Sequence, residues 1–258
     1  MEAVGPNSNS NNPTQEEEEE ESMINRNTNN KNNEGVVMKL EETDLGNASD
    51  VVYVPRFLSY EKSWEYFNYL DKNIPWTRPT IHVFGKPFLQ PRDVCYIASK
   101  GLKELTYSGY TPRAYCWDDF PPVKEILDEV HIAFPGSHFN SLLLNRYNSG
   151  NDYVGWHADD EKLYGPHPEI ASISFGCERD FFLKKRSTHN KKAQAEVEGE
   201  PSSKRAKKNN DVERHSFKLK HGSLLLMRGN TQRDWLHSVP KRAKAESARV
   251  NLTFRRVM

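Results

Sequence analysis

The alternation of apolar and polar residues predicts β-strands through much of the second half of the chain. Ala171, Ile173 and Phe175 alternate with two serines, and residues 142–147 and 249–255 alternate in the same way. Gly, Pro and Asn turns separate these short segments. The pattern therefore predicts a mainly β fold of two sheets, with helices packed on the outside.

Two segments show helical spacing instead. Residues 60–70 place large apolar or aromatic side chains at intervals of three or four: Tyr60, Trp64, Phe67 and Leu70. A second stripe follows the prolines at 121 and 122: Val123, Ile126, Leu127, Val130 and Phe134. Because proline is favoured in the first turn of a helix, we predict that the second helix begins there.

Two other segments lack a pattern that supports folding. Residues 1–47 contain the glutamate tract 16–21 and asparagine-rich stretches, with almost nothing apolar before Val36. Such a segment cannot bury enough surface to offset the entropy of ordering. We predict that 1–47 is a disordered acidic, Asn-rich tail, that 184–214 is a disordered basic insertion between two strands, and that 51–258 forms a single domain.

The charges are divided unevenly along the chain. It has 36 basic and 36 acidic side chains, but residues 1–50 carry 3 basic against 12 acidic residues, whereas residues 184–220 carry 12 basic against 5. No apolar run is long enough for a membrane helix, and the N-terminus lacks the apolar core of a secretory signal. Cys95, Cys116 and Cys177 show no paired spacing. We therefore expect a soluble intracellular protein with reduced thiols and no membrane partner.

A candidate metal site combines one short motif with a distant histidine. His157 and Asp159 are two residues apart, so an extended strand directs both side chains to the same face. His237 lies at the end of another predicted strand. Two histidines and one carboxylate form the facial triad of non-haem Fe(II) oxygenases. The alternative is a hydrogen-bonded turn histidine beside a surface carboxylate.

A candidate anion site comes from the strand near the C-terminus. In residues 249–255, Arg249 and Arg255 share one polar face with Asn251 and Thr253, while the other face is apolar. If the apolar row packs against a second layer, the polar row lines a cavity. Two guanidinium groups can bind both ends of a short dicarboxylate such as 2-oxoglutarate. An exposed strand with outward arginines is the alternative.

A second strand adds polar groups to the same cavity. Asn145 and Tyr147 share a face, while Arg146 points away, so an amide and a phenol can both reach the co-substrate. A core aromatic with a satisfied hydroxyl is the alternative for Tyr147.

Together these motifs resemble the AlkB family of Fe(II)- and 2-oxoglutarate-dependent nucleic-acid dealkylases, most of all its eukaryotic, plant-like branch that repairs double-stranded DNA. The resemblance rests on six segments: 145–147, 157–161, 173–176, 221–224, 237–240 and 249–255. It implies a jelly-roll (double-stranded β-helix) core over 141–258 and helices with a nucleotide-recognition lid over 51–140.

The resemblance also implies a role for each matched residue. His157, Asp159 and His237 would bind Fe(II), and Asp160 and Glu161 would face the amino group of the damaged base. Simple surface acidity is the alternative for this last pair. The co-substrate 2-oxoglutarate would be held by five residues: Asn145, Tyr147, Arg249, Thr253 and Arg255.

The implied reaction uses O2 and 2-oxoglutarate to oxidise the methyl group of N1-methyladenine or N3-methylcytosine, and it releases formaldehyde, succinate and CO2. Because that methyl group lies inside the duplex, the nucleotide must be flipped out, or the substrate must be single-stranded.

One segment of the sequence is suited to flipping a nucleotide out of a duplex. Phe84, Gly85 and Lys86 form a predicted hairpin tip that resembles the intercalating finger of duplex-DNA members, with Lys86 suited to phosphate. A Phe84 packed into the lid is the alternative. Tyr107, with Tyr110 as its rival, would stack on the base, and Arg92 would lie near the DNA.

The basic insertion has two compatible roles, phosphate contact and nuclear import through residues 204–208, with a solvated loop as the alternative. We thus predict a monomeric nuclear DNA repair demethylase. Three alternatives stay open: an RNA demethylase with the same chemistry, a non-catalytic jelly-roll module that binds modified bases, and a protein hydroxylase.

Overall fold

Strands are the main secondary structure of the described residues. The computed structural model describes residues 39–187 and 212–258, and these fold into fourteen strands and three α-helices. The strands are β1 (Glu41–Gly46), β2 (Ser49–Val54), β3 (Thr80–Val83), β4 (Lys86–Leu89), β5 (Asp93–Ala98), β6 (Ala114–Tyr115), β7 (Ser141–Tyr147), β8 (Val154–His157), β9 (Ile170–Gly176), β10 (Arg179–Lys185), β11 (Arg214–Leu219), β12 (Ser223–Gly229), β13 (Trp235–Val239) and β14 (Arg249–Arg255). The helices are α1 (Tyr60–Asn73), α2 (Pro121–Ala133) and the single turn α3 (Thr231–Asp234).

Two sheets carry the architecture. The major sheet has eight strands in the order β1-β2-β12-β9-β14-β7-β5-β6, and the minor sheet has four in the order β11-β10-β13-β8. Their strands pair antiparallel throughout, except for the parallel pair β5 and β6. The order is far from sequential, as expected for a jelly roll. The predicted mainly β fold of two sheets is confirmed.

The two faces of the major sheet have different chemistry. On β14, Val250, Leu252 and Phe254 are fully buried in the core beneath the helices. The alternate row turns towards the minor sheet and lines a cavity. The apolar row therefore packs outward against a second layer, and the alternative of an exposed arginine strand is wrong.

Both predicted helices are confirmed, and local sequence explains where they begin. The Ser59 side chain accepts a hydrogen bond from the backbone N–H of Lys62 at 3.2 Å and so caps α1. The second helix, α2, begins at Pro121, which has no N–H to leave unpaired. Its buried residues are Val123, Ile126, Leu127 and Val130, while Phe134 lies just beyond the helix as its C-terminal cap. Neither helix, nor any other in the described part of the chain, is both long and apolar enough to cross a membrane.

The boundaries of the two predicted disordered segments need correction. Residues 41–46 form β1, an edge strand that pairs antiparallel with β2, so the predicted tail 1–47 was drawn too long. Likewise, residues 184 and 185 end β10 and residue 214 begins β11, with Lys184 opposite Arg214. The remaining parts of both segments, residues 1–38 and 188–211, and with them the basic cluster 204–208, lie outside the described residues.

The N-terminal part has a mixed role. Residues 51–140 were expected to supply helices and a lid, but β2, β5 and β6 from this part also extend the major sheet. The strands β3 and β4 form a separate two-stranded hairpin. A small core beneath this region includes Val94, Leu105, Leu143 and Tyr164, together with the partly buried Tyr107. The lid is thus tied to the jelly roll through shared strands.

Candidate active site

Three potential metal ligands meet between the strands of the minor sheet. His157 ends β8 and lies directly opposite His237 on β13. Asp159 follows His157 by two residues, and the ligand atoms of all three lie within 4.8 Å of one another. The His157 ring shares a hydrogen bond of 2.9 Å with the carbonyl of Gly155 through Nδ1. With Nδ1–H as the donor, Nε2 is left for a metal.

Asp159 is held from two sides. Its backbone N–H donates to Oε1 of Gln232 at 3.0 Å, and its Oδ2 accepts from Nη2 of Arg255 at 2.7 Å. Burial alone would raise the pKa of Asp159, but the Arg255 guanidinium and the two histidines lower it below its usual range. Asp159 is therefore an anion at neutral pH.

The two histidines are kept neutral. Burial, together with the nearby His157, lowers the pKa of His237 to about 3, and burial also lowers the pKa of His157. Neutral imidazole nitrogens and an ionised carboxylate oxygen are the donor set that Fe(II) accepts in oxygenases. The donor set of these three residues fits this metal.

Arg249 is a buried cation without a carboxylate partner among the described residues. Its side chain is 1% exposed, and Nη2 donates to the Ser174 hydroxyl at 2.9 Å. Its Nε and Nη1 have no hydrogen-bond partner. Burial lowers the pKa of Arg249 to about 10, so the group is still charged at neutral pH. A buried guanidinium with unpartnered donors fits a carboxylate group of 2-oxoglutarate.

Arg255 lies beside the metal ligands. It lines the cavity, but its guanidinium already forms an ion pair with Asp159 and lies over the ring of Tyr164 at 5.5 Å. Burial would lower its pKa, yet the Asp159 carboxylate raises it above the usual value. Arg255 thus orients a metal ligand.

The other predicted co-substrate residues also reach the cavity. Asn145 and Tyr147 line it from β7, and Thr253 lines it from β14. The Asn145 oxygen accepts from Nε of Arg92 at 2.7 Å, so its amide nitrogen is the group left for a co-substrate. The Thr253 hydroxyl instead donates to Asn251 at 3.1 Å.

Sequence reasoning missed Arg179, which contacts the cavity residue Tyr147. Its side chain is buried, and Nη2 donates to the carbonyl groups of Asp152 at 2.7 Å and Pro240 at 2.6 Å. Arg179 and Arg249 both lie over the Tyr147 ring, at 5.4 and 5.0 Å from its centroid. Nothing in the local sequence distinguishes Arg179 from a surface arginine. Ser174 and Gln232 were also missed, although the alternation along β9 points Ser174 inward.

The cavity has a volume of about 540 Å³ and joins the metal site to the lid. Glu161, Arg92 and Tyr107 line it, whereas Tyr110 does not. Burial, followed by the Asp159 charge, raises the pKa of Glu161, and its Oε2 has no partner. The Tyr107 hydroxyl donates to Gln90 at 3.3 Å. The Tyr107 ring and the unpartnered Glu161 carboxyl group therefore line the same cavity.

The Asp160 side chain does not line the cavity. Its carboxylate is exposed and forms an ion pair of 2.6 Å with Arg186 at the end of β10. The expectation that Asp160 and Glu161 both face the base is thus corrected for Asp160. Consecutive residues outside a regular element need not share a direction, so adjacency in sequence could not separate them.

The hairpin tip stands away from the core. Phe84 is fully exposed, which rules out the alternative that it packs into the lid. Phe84 and Gly85 are the two loop residues, with φ angles of 50° and 75°, and Lys86 follows as the first residue of β4. Two positive φ angles define the tight type I′ turn that favours asparagine and glycine, so phenylalanine is an unusual occupant.

Comparisons with known proteins agree with this geometry. Residues 50–255 match the 2OG-Fe(II) oxygenase superfamily. The chain is 62% identical over 215 residues to the DNA oxidative demethylase ALKBH2 of Arabidopsis thaliana, an alignment that covers 83% of this chain and 68% of that protein. It is 36% identical over 197 residues to the Homo sapiens protein of the same name, which covers 75% of this chain and 68% of that protein.

Two further proteins are similar. The alpha-ketoglutarate-dependent dioxygenase alkB homolog 3 of Homo sapiens is 36% identical over 211 residues, or 81% of this chain and 66% of that protein. The chain thus spans about two thirds of the length of these relatives. The solved structure of OsALKBH1 superimposes with a TM-score of 0.51 over 83% of this chain and 100% of that one. At 15% identity this likeness shows the fold alone.

Proposed function

This chain belongs to the 2OG-Fe(II) oxygenase superfamily and, within it, to the AlkB family, and from that premise we propose that it is a DNA repair dioxygenase that demethylates N1-methyladenine and N3-methylcytosine. The observation that carries the proposal is one cavity that holds a His-Asp-His triad, a buried arginine without a carboxylate partner and an aromatic ring at the lid. The co-factors of this family are Fe(II), 2-oxoglutarate and O2.

The chain's own residues prepare the metal site. His157, Asp159 and His237 would hold Fe(II), which supplies the oxidation of the methyl group when O2 and 2-oxoglutarate are present. Arg255 keeps Asp159 ionised and fixes its orientation. Because the histidines are already neutral, no proton has to leave them when the metal binds.

The polar end of the cavity suits the co-substrate. Arg249 would bind a carboxylate group of 2-oxoglutarate through donors that have no partner in the protein. Asn145 and Tyr147 line the cavity beside it. The co-substrate therefore completes hydrogen bonds that the folded chain leaves open, which favours a dicarboxylate over a neutral ligand.

The lid side of the cavity suits a flipped base. Tyr107 offers its ring for stacking, and the raised pKa of Glu161 favours a carboxyl group that exchanges protons with the amino edge of a methylated base. Phe84 would enter the space that the flipped nucleotide leaves in a duplex, with Lys86 near a phosphate. A fully exposed phenylalanine on a tight two-residue turn supports this preference for duplex DNA.

The decisive experiment uses matched oligonucleotides with one methyladenine or methylcytosine, as single strands and duplexes, in DNA and in RNA. With Fe(II), 2-oxoglutarate and O2, we expect formaldehyde, succinate and the unmethylated base, with turnover on both forms of DNA. Asp159→Ala should abolish turnover because a metal ligand is lost. Asp160→Ala is the matched control, since its carboxylate pairs outside the cavity and its variant should keep Fe(II) bound.

The competing functions give different results. A non-catalytic binding module would bind the methylated strand without forming succinate, and an RNA demethylase would turn over the RNA strand faster than the DNA strand. Faster turnover of RNA would replace the DNA assignment while leaving the dioxygenase chemistry intact.

We further propose that the protein acts as a monomer in the nucleus. The support for import is the basic cluster at residues 204–208. A fluorescent fusion of the full chain should accumulate in nuclei, and replacing these basic residues with alanine should distribute it through the cell. Equal nuclear signal in both would reject this import signal.

A further inference from the structure

The outer face of the minor sheet carries cations without acidic partners. On β10, Phe181 and Leu183 point into the core between the sheets, so Lys184 points outward. It lies opposite Arg214 of β11, and both Arg214 and Lys218 are exposed. Among the described residues, Lys184, Arg214 and Lys218 form no ion pair, although the neighbouring Lys185 and His215 both pair with Glu213.

An exposed tryptophan lies at the other edge of this face. Trp156 precedes the metal ligand His157 on β8, lies at the rim of the cavity and is 41% exposed. The Nζ atom of Lys184 is 4.3 Å from the centroid of its ring. This cation–π contact covers part of one ring face and fixes the side chain, while much of the ring stays open to solvent.

Trp156 and the unpaired cations Lys184, Arg214 and Lys218 form one continuous track across this face of the sheet. Trp156 is on β8 and Arg214 on β11, which are the two edges of the sheet, and Lys184 lies between them on β10. Three interstrand spacings of about 4.8 Å give roughly 14 Å, the length of about four stacked nucleotides. Aromatic rings beside a row of cations bind single-stranded nucleic acid by base stacking and phosphate contact.

We propose that this face is a second DNA-binding surface, on which the strand that leaves the cavity stacks a base on Trp156 and places phosphates against Lys184, Arg214 and Lys218. The inference rests on the proposed function, because it extends the path of the same DNA. DNA is favoured over an acidic protein since an exposed indole beside unpaired cations matches both the bases and the phosphates of a strand. Asp180, opposite Lys218, is the acidic residue on this part of the sheet and limits the track at that corner.

The test measures binding rather than turnover. Fluorescence anisotropy, with Fe(II) and 2-oxoglutarate present and O2 excluded, would compare a methylated 15-nucleotide strand with a methylated trinucleotide that only fills the cavity. We expect Trp156→Ala to weaken binding of the long strand about tenfold, within the range for one lost base stack, and to affect the trinucleotide much less. Trp156→Phe keeps an aromatic ring and should give an intermediate affinity. Because this change is more conservative, it tests the proposal even if the alanine variant misfolds.

The cations are tested through salt dependence. Lys184→Ala should lower the slope of log affinity against log salt by about 0.7 for the long strand, because one phosphate contact is lost. Lys72→Ala on α1 and Tyr60→Ala are matched controls, since both residues are exposed on the helix layer across the major sheet. Both controls should bind like the wild type.

The outcomes separate this proposal from the function. If wild-type protein demethylates DNA but the Trp156 and Lys184 variants bind both lengths like the wild type, the second surface is overturned alone. A Trp156-dependent preference for an RNA strand over the DNA strand would also overturn it. If no methylated strand is turned over while the length-dependent losses are seen, the DNA surface stands and the demethylase assignment fails.

Discussion

Phe84 occupies a backbone conformation that suits asparagine better. Its φ of 50° and that of Gly85 place both loop residues in the left-handed region, which costs a non-glycine residue roughly 1–2 kcal/mol. The side chain gains no packing in return, since it is fully exposed. Strain and exposure at one position are expected where a side chain acts on a partner rather than on the fold.

The variant Phe84→Asn separates the effect of this residue on protein stability from its effect on duplex DNA. Because asparagine is favoured at this turn position, the melting temperature should stay the same or rise. Turnover of duplex DNA should fall at least about tenfold, since filling the flipped-base gap offsets a few kcal/mol of unstacking. Single-stranded DNA needs no wedge and should lose much less. Differential scanning fluorimetry and kcat/KM on both substrates test this; equal losses on both would contradict the wedge.

The two arginines that contact the Tyr147 ring should respond oppositely to substitution. Arg249 leaves Nε and Nη1 unpaired, whereas Arg179 leaves only Nε unpaired and donates through Nη1 and Nη2 to three backbone carbonyls. Arg249→Met removes an uncompensated charge, so the free energy of unfolding without co-substrate should stay the same or rise. Arg179→Met leaves carbonyl groups unpaired and should lower it by about 1–3 kcal/mol.

Ligand binding supplies the complementary measurement for the same pair. In urea titrations repeated with 2-oxoglutarate, Arg249→Met should lose the stabilisation that the co-substrate gives to the wild type. Arg179→Lys, which keeps a charge and a donor, should recover part of the stability lost in Arg179→Met. A destabilised Arg249→Met that still responds to 2-oxoglutarate would show that the buried charge serves the fold instead.

At the scale of elements, the end of β9 is where α1 comes closest to the major sheet. Gly176 has a φ of 80°, and a Cβ atom there would lie 2.4 Å from the carbonyl oxygen of Ala248 and 2.6 Å from the ring of Phe67 on α1. Its backbone N–H donates to Nδ1 of His221, whose ring packs 4.3 Å from that of Trp64. A side chain at 176 would therefore push the helix off the sheet.

Gly176→Ala should lower the free energy of unfolding by about 2–5 kcal/mol, from backbone strain and overpacking together. Gly165→Ala is the matched control, because Gly165 has nearly the same φ of 79° but its Cβ would meet only the flexible Met258 side chain, 3.4 Å away. The control should show the backbone strain alone. Chemical denaturation of both variants measures the difference, and equal losses would mean that α1 does not depend on this close approach.

The helices and strands also show which parts of the fold can be predicted from the sequence. The helices and the two-faced strand β14 were predictable, because burial of one face imposes a period that a single sequence displays. β1 was not, since its burial pattern is mostly exposed and it depends on hydrogen bonds to β2. The metal triad follows from residue types and spacing, but Arg179 and Gln232 act through contacts with distant segments. The opposite directions of Asp160 and Glu161 likewise involve Arg186, which follows the distant strand β10.

At the scale of the whole molecule, buried neutral histidines link stability to pH. Burial lowers the pKa of His131, His157, His221 and His237 below 6.5, the value for a free side chain. Above pH 6.5 neither the folded nor the unfolded chain binds these protons. Below it the unfolded chain takes them up while the folded chain does not, so acid favours unfolding. The contribution of Asp159 is lost only at a lower pH, because its folded pKa lies below its usual range.

The metal-free protein should therefore lose stability as the pH falls from 7 towards 5. Guanidinium titrations at several pH values should show a free energy of unfolding that declines below about pH 6.5. His237→Asn removes one of the depressed groups, whose folded pKa is about 3, so it should reduce the slope by up to about 1.4 kcal/mol per pH unit. His167→Asn, the same change at an exposed position, is the matched control. A flat profile in the wild type would mean that the folded protein takes up these protons as readily as the unfolded chain, and that its iron site is not held neutral before the metal arrives.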